Sequence, residues 1–220
     1  MMIPLKDDNP HISRPVVTYA LIAINVLVFL RQITLAPGLT EEFVFTWGAV
    51  PAMITQGQQL QTVFTSMFLH GGFMHLAGNM LYLFIFGDNV ETLCGHIRFL
   101  FFYLICGVLA FASHYVFATT SEIPMIGASG AISGVLGAYA LRFPRAHVHV
   151  LIPIFFWIYR IFKIPAVIVL GVWFFMQVFS GVTTSPAGGG VAWFAHVGGF
   201  LAGLLLISAF ESNRYKVNFP

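Results

Sequence analysis

Charge is what this sequence has least of. Of 220 residues, 10 are Lys or Arg and 8 are Asp or Glu, together 8% of the chain. Soluble domains run at about 25% charged and about 45–50% apolar. Here 58% of residues are apolar and the mean hydropathy is +0.87. So few charges cannot wet the surface of a 24.3 kDa globule. A soluble enzyme, a disordered chain and a nucleic-acid binder with a basic face are excluded. Cysteine is scarce too. Cys94 and Cys106 sit in or beside apolar runs with no CxxC, so neither a disulfide framework nor a redox motif is implied; they read as buried or lipid-facing thiols. The aspartates are Asp7, Asp8 and Asp88 alone. Signs of a secretory leader are also missing. The first fifteen residues are polar and hold Lys6, Asp7, Asp8 and Arg14. The apolar stretch after them is followed by nothing that reads as a cleavage site, so it is expected to stay as a membrane anchor.

What the chain does have is apolar runs of membrane-spanning length, about 17–25 residues for a helix. Six are expected, at residues 16–30, 62–87, 97–118, 124–141, 164–181 and 191–210. All should be helices, because unpaired peptide groups are too costly in lipid and no barrel-type alternation is present. Residues 147–159 are apolar but short, broken by Pro153 and flanked by Arg145 and Arg160; they read as an interfacial segment. The expected fold class is all-α, a six-helix polytopic membrane bundle. Its parts are a cytoplasmic tail at 1–15, the membrane domain at 16–210 and a second cytoplasmic tail at 211–220. With both ends in the cytoplasm, nine basic residues fall inside (Lys6, Arg14, Arg98, Arg142, Arg145, Arg160, Lys163, Arg214, Lys216) and Arg31 alone outside, as basic-residue bias requires.

Strongly polar side chains within spans are expensive and usually functional. His70, His75 and Asn79 fall on the second span, Ser129 on the fourth and His196 on the sixth. In this topology all lie in the outer half. Ser129 is flanked by glycines in Gly127-Ala128-Ser129-Gly130, which permits close approach of a backbone or substrate. The spacing Gly130-xxx-Gly134 fits a plain small-residue packing helix equally well. His196 tips the balance, because Gly199 and Gly203 follow on its own face. Glycine faces on two spans allow a short interaxial distance, which would bring His196 to Ser129. A neutral imidazole can then take the serine proton and make the hydroxyl a nucleophile. No aspartate can reach that depth, so a hydrolase here would use a Ser–His dyad. His75 and Asn79, four apart on one face, can supply oxyanion donors together with the Ser129 N–H. His70 is expected to make a structural hydrogen bond at the mouth of the second span. The spacing of His70 and His75, with no carboxylate or cysteine nearby, does not make a zinc site.

These motifs, His75-xxx-Asn79, Gly127-Ala128-Ser129-Gly130 and Ala195-His196-Val197-Gly198-Gly199, resemble those of the rhomboid intramembrane serine proteases. The resemblance extends to the opening Ile3-Pro4-Leu5-Lys6-Asp7-Asp8-Asn9-Pro10 and to Gly87-Asp88-Asn89-Val90-Glu91, and so covers nearly the whole chain. It implies Ser129 as nucleophile, His196 as general base and His75 and Asn79 as oxyanion stabilisers. Gly127 and Gly130 would shape the serine turn, and Gly199 and Gly203 would hold span six against span four. It further implies cleavage of membrane-spanning substrates near or within their transmembrane segments, no cofactor or metal, and a bacterial cytoplasmic membrane with the site open to the outer side. One position departs from the pattern. Many members carry an aromatic residue one turn after the serine, stacked on the histidine; here it is Ser133, so either the imidazole is held less firmly or another ring such as Phe73 or Trp193 fills in.

Two other classes fit parts of the sequence. A non-catalytic rhomboid-fold client binder would lack the serine or the histidine. A polar-relay transporter using His75, Asn79 and His196 leaves the glycine-flanked serine without a purpose. Substrate access is expected through a funnel above Ser129. Ser185-Pro186-Ala187-Gly188-Gly189-Gly190 has the composition of a mobile lid or a plain loop. Trp173, Phe174 and Phe175 suit a lateral gate or a lipid-facing belt. Residues 34–61 form a long loop whose Phe43, Phe45 and Trp47 mark the membrane interface. A substrate helix must unwind before attack, so small or helix-breaking residues near the cut are favoured.

Overall fold

The computed structural model describes residues 2–10, 12–155, 158–183 and 191–212. In chain order its elements are β1 (Ile3–Asp7), α1 (Val16–Ile33), three short helices α2 (Pro37–Trp47), α3 (Pro51–Thr55) and α4 (Thr62–Thr65), then α5 (Phe73–Cys94), α6 (His96–Tyr115), α7 (Ser129–Arg142), β2 (His147–Phe155), β3 (Ile158–Pro165), α8 (Ala166–Thr183) and α9 (Trp193–Phe210). By length and composition α1, α6, α8 and α9 can each cross a bilayer. α7 has 14 residues, about 21 Å of helix. It is shielded by its neighbours: positions 131–139 are all buried, and α5, α6, α8 and α9 pack around it. The protein is an all-α polytopic membrane body with a short helix at its centre.

The first, third, fifth and sixth of the six expected spans begin and end within three residues of their expected edges. The second and fourth are corrected. The expected run 62–87 is instead α4, a 3₁₀ turn at Ser66–Phe68 and then α5, which starts at Phe73. Gly71-Gly72 holds no helix, so His70 precedes α5 and does not lie on it. α5 runs on to Cys94 because its last polar residues, Asp88, Asn89 and Glu91, are buried against protein. It stops at Gly95, whose φ of +77° suits glycine. The expected start of the fourth span at residue 124 is likewise too early. Residues before α7 are extended and tied down. Ala49 and Met125 exchange backbone hydrogen bonds of 3.1 and 2.8 Å, and the Gly127 N–H donates to the Ser66 carbonyl at 2.9 Å. Gly127 then turns the chain at φ +123°, and α7 begins at Ser129. The loop expected at 34–61 contains α2 and α3, with Phe45 and Trp47 exposed.

The segment 147–159, expected as interfacial, and the tail 1–15 combine in a sheet. β1, β2 and β3 are antiparallel in that order, with Ile3 opposite Leu151 and His147 opposite Pro165. The alternation His147-Val148-His149-Val150 buries both valines in the core. Asp8 accepts a hydrogen bond from His149 at 2.6 Å and faces Lys163 at 3.3 Å; the bond from His149 holds the Asp8 carboxyl below the usual carboxylate range. Asp7 accepts from Tyr139 of α7 and from Asn89 of α5. The sheet therefore closes the end of the bundle at which α7 finishes, away from Ser129.

Glu91 anchors α1 from a distance. Its carboxylate accepts the Val17 and Thr18 N–H groups at 2.9 and 2.7 Å and the Thr18 hydroxyl at 2.7 Å. These N–H groups belong to the first helical turn, which has no internal acceptors and carries the positive end of the helix dipole. Glu91→Ala is expected to destabilise the fold by about 3 kcal/mol, read as a lower unfolding temperature in detergent, with Glu91→Gln recovering part of the loss.

α7 and α9 meet backbone to backbone. A Cβ at Gly199 would overlap the Gly130 carbonyl, one at Gly203 the Gly134 carbonyl, and one at Gly137 the Phe200 carbonyl. The register rises together along both helices, so they are parallel. Gly130 itself packs against Ala110 of α6. Gly203→Ala has no flexible atom to push aside. It is expected to cost about 1–3 kcal/mol, measured by thermal unfolding against a Leu205→Ala control on the exposed face.

Candidate active site

Ser129 is the first residue of α7 and His196 lies in the first turn of α9. Because the glycine seam removes side chains from between the two helices, His196 Nε2 comes within 2.8 Å of Ser129 Oγ. The first hydrogen bond of α7 runs from the Ile132 N–H to the Ala128 carbonyl at 3.0 Å. The N–H groups of Ser129, Gly130 and Ala131 are therefore outside the helical ladder, at the positive end of the helix dipole.

His75 lies in the first turn of α5 and Asn79 one turn further on. The Gly71 N–H donates to His75 Nδ1 at 3.3 Å. Nδ1 is thus the acceptor nitrogen, and in the neutral ring Nε2 carries the proton. That N–H points at the serine turn: a Cβ on Gly127 would lie 2.8 Å from His75 Nε2 and 3.7 Å from Asn79 Nδ2. Gly127 is required both by its φ and by this crowding. Asn79 Nδ2 donates one proton to His70 Nε2 at 2.9 Å and keeps a second. His70 is buried, and Gln32 of α1 clamps its backbone, accepting the His70 N–H at 3.1 Å and donating to its carbonyl at 3.2 Å. The rings of His70 and His75 meet edge-on at 5.1 Å.

Ser129, His196, His75 and Asn79 line one cavity of about 1060 Å³. A hydroxyl beside an imidazole nitrogen, with amide and imidazole N–H donors converging on the same turn, can generate an alkoxide-like nucleophile and neutralise an oxyanion. Among the described residues no group of three or more His, Cys, Asp or Glu is placed to hold a metal.

Residues 57–212 match the Rhomboid domain. This chain belongs to the rhomboid family. Rhomboid protease GluP of Bacillus subtilis is 39% identical over 127 residues, 57% of this chain and 24% of that protein. Rhomboid protein 1, mitochondrial, of Saccharomyces cerevisiae is 29% identical over 215 residues, 90% of this chain and 55% of that protein. The human presenilin-associated rhomboid-like protein, mitochondrial, is 31% identical over 140 residues, 61% of this chain and 35% of that protein. The chain therefore spans between a quarter and just over half the length of these relatives.

Around the imidazole this rhomboid has two indoles, with Ser133 where a ring is common. Ser133 turns away and donates to the Ser129 carbonyl at 2.6 Å. Phe73 is 71% exposed and does not reach His196. Trp193 stands edge-on to the ring at 6.3 Å, and Trp173 of α8 lies 6.0 Å away at 37°. Trp173, which the sequence suits to a lateral gate or a lipid-facing belt, is thus a neighbour of His196. Two polar residues escaped the sequence reading. Gln177 of α8 has its Oε1 2.7 Å from His196 Nδ1, and Gln32 holds His70. The signal for Gln177 was available as the one amide in a uniformly apolar span. Residues 185–190 lie outside the described residues.

Proposed function

We propose that this rhomboid is an intramembrane serine endopeptidase that hydrolyses peptide bonds near or within transmembrane segments of other membrane proteins. The observation that carries the reading is the 2.8 Å contact between Ser129 Oγ and His196 Nε2 at a cavity large enough for an unwound peptide. His196 takes the serine proton as Oγ bonds to the scissile carbonyl carbon and gives it to the leaving amine as the C–N bond breaks; it then takes a proton from water, which cleaves the ester, and returns that proton to Oγ. His75 Nε2–H, Asn79 Nδ2–H and the Ser129 N–H stabilise the oxyanion. No cofactor or metal takes part. Both members of the dyad are present and in contact, which favours catalysis over client binding alone.

The membrane proposed is the bacterial cytoplasmic membrane, with both termini inside and the cavity open outward. The nine basic residues assigned to the inner side support this orientation, as does the distance of the sheet from Ser129 along α7. The test is cleavage of a labelled single-span protein in proteoliposomes. Wild type should cut near the outer end of the substrate helix, with a small side chain before the cut, and Ser129→Ala should release no product. Cleavage retained by Ser129→Ala overturns the reading, and proton flux without cleavage favours a transporter.

A further inference from the structure

A serine hydrolase needs its base held in one tautomer and one orientation, usually by a carboxylate. No carboxylate lines the cavity. Asp7 and Asp8 belong to the sheet end, Asp88, Glu91 and Glu211 lie at the same end, and Glu41, Glu42 and Glu122 are exposed. Yet the second nitrogen of His196 has a partner. Gln177 Oε1 is 2.7 Å from Nδ1, and Gln177 is 7% exposed.

An amide carbonyl oxygen can only accept. Nδ1 must therefore carry the proton, and the lone pair of Nε2 faces Ser129 Oγ at 2.8 Å. Had the amide presented its NH₂ group instead, Nδ1 would accept, Nε2 would be protonated, and the ring could not take the serine proton. The carbonyl thus selects the tautomer that makes the dyad a nucleophile–base pair. Trp173, four residues earlier on the same face of α8, lies against the same ring. One helix face thus presents an acceptor to the edge of the imidazole and a tilted indole beside it, where Ser133 offers no ring.

Resting on the protease reading, we infer that Gln177 is the positioning residue of the general base, a neutral third member accepting the hydrogen bond of His196 Nδ1–H. The proton leaving Ser129 Oγ goes to Nε2, the Nδ1 proton stays in place, and Gln177 gains and loses nothing. A neutral acceptor stabilises the imidazolium less than a carboxylate would. It also avoids burying an anion inside the bundle, where an unpaired charge is costly. The other titratable groups facing the cavity are His75 and Tyr82 of α5 and His114 of α6. α8 carries none, and α7 bears only Tyr139 and Arg142, towards its far end.

The test compares the full chain in detergent with Gln177→Leu, Gln177→Glu and Ser129→Ala, using a fluorogenic single-span substrate. Thermal unfolding and the labelling rate of Ser129 by a fluorophosphonate are followed in parallel. Gln177→Leu removes the acceptor at similar volume. It should lower kcat tenfold or more, within the roughly 10²–10⁴ that a general base supplies. KM should stay within about twofold, and Ser129 labelling should slow in proportion. Gln177→Glu restores an acceptor. It should recover most of kcat and move the acid limb of the kcat profile up by about one pH unit, because a carboxylate beside the ring favours its protonated form. Wild-type kcat and labelling in Gln177→Leu would overturn the inference. So would an acid limb of Gln177→Glu that superimposes on wild type. Should Gln177→Glu not fold, the kcat and labelling rates of Gln177→Leu decide. Cleavage that needs Ser129 but not Gln177 removes this inference and leaves the protease reading standing; no Ser129-dependent cleavage in wild type removes both.

Discussion

His196→Ala is expected to lower kcat for a single-span substrate on the order of 10⁶-fold, as removal of either member of a serine–base pair does when the two act as a unit. Without the imidazole, Ser129 Oγ–H has no acceptor 2.8 Å away, and a serine hydroxyl is a poor nucleophile at its free pKa. The loss should fall on kcat with little change in KM, because His196 acts on the reacting atoms and not on the rest of the substrate helix. The double variant with Ser129→Ala should be no worse than either single one, since each already removes the whole unit. Multiplying losses in the double variant would mean that the two residues act independently, and the dyad would be wrong. The measurement is single-turnover product formation in proteoliposomes, with thermal unfolding showing that the glycine seam has kept the helices together.

The second large effect concerns His75. Its Nδ1 is occupied by the Gly71 N–H, so its Nε2–H is the donor aimed at the serine turn, beside Gly127. Removing one oxyanion donor typically costs about 10²–10³ in kcat. His75→Ala should show that loss with KM nearly constant. His75→Gln, which can place an amide N–H in the same region, should recover part of it. Asn79→Ala should lose a comparable factor in rate. It also strips the partner from buried His70, so it should unfold at lower temperature, and His75→Ala is the cleaner probe. A His75→Ala enzyme within threefold of wild type would remove His75 from the oxyanion site.

The features legible in the sequence are those that a bilayer enforces. Lipid demands continuous apolar helices, and four of the six spans could be bounded closely from hydropathy alone. Spacing also showed that His196, Gly199 and Gly203 share a face, which is the face that packs on α7. The second and fourth spans were misjudged where hydropathy stops reporting conformation. Residues 62–72 are apolar enough to be helix, but Gly71-Gly72 and the tie from Gly127 to Ser66 make them a support for the site. His70 consequently folds back onto Asn79 where the expected helix would have turned it away. The sheet was hidden for a different reason. Its register joins residues 3–7 to residues 148–151, and no local pattern announces such a distant partner, although the alternation at Val148 and Val150 marks one strand. Gln177 carries no glycine motif beside it to mark it, yet an amide in an apolar helix is costly to leave unpaired and so points to a partner.

The seam between α7 and α9 has a consequence for how the two reacting atoms are aligned. Side chains at an ordinary helix contact can adjust their rotamers to absorb a small error. Peptide groups in direct apposition have no such play. A displacement of one rod is handed undiminished to the other, so alcohol and imidazole keep their separation by the rigidity of main-chain geometry. The cost is brittleness: at Gly199 and Gly203 even one added carbon must push main chain aside, while the lipid-facing side of the same helix, at Leu201 and Leu205, is free to vary.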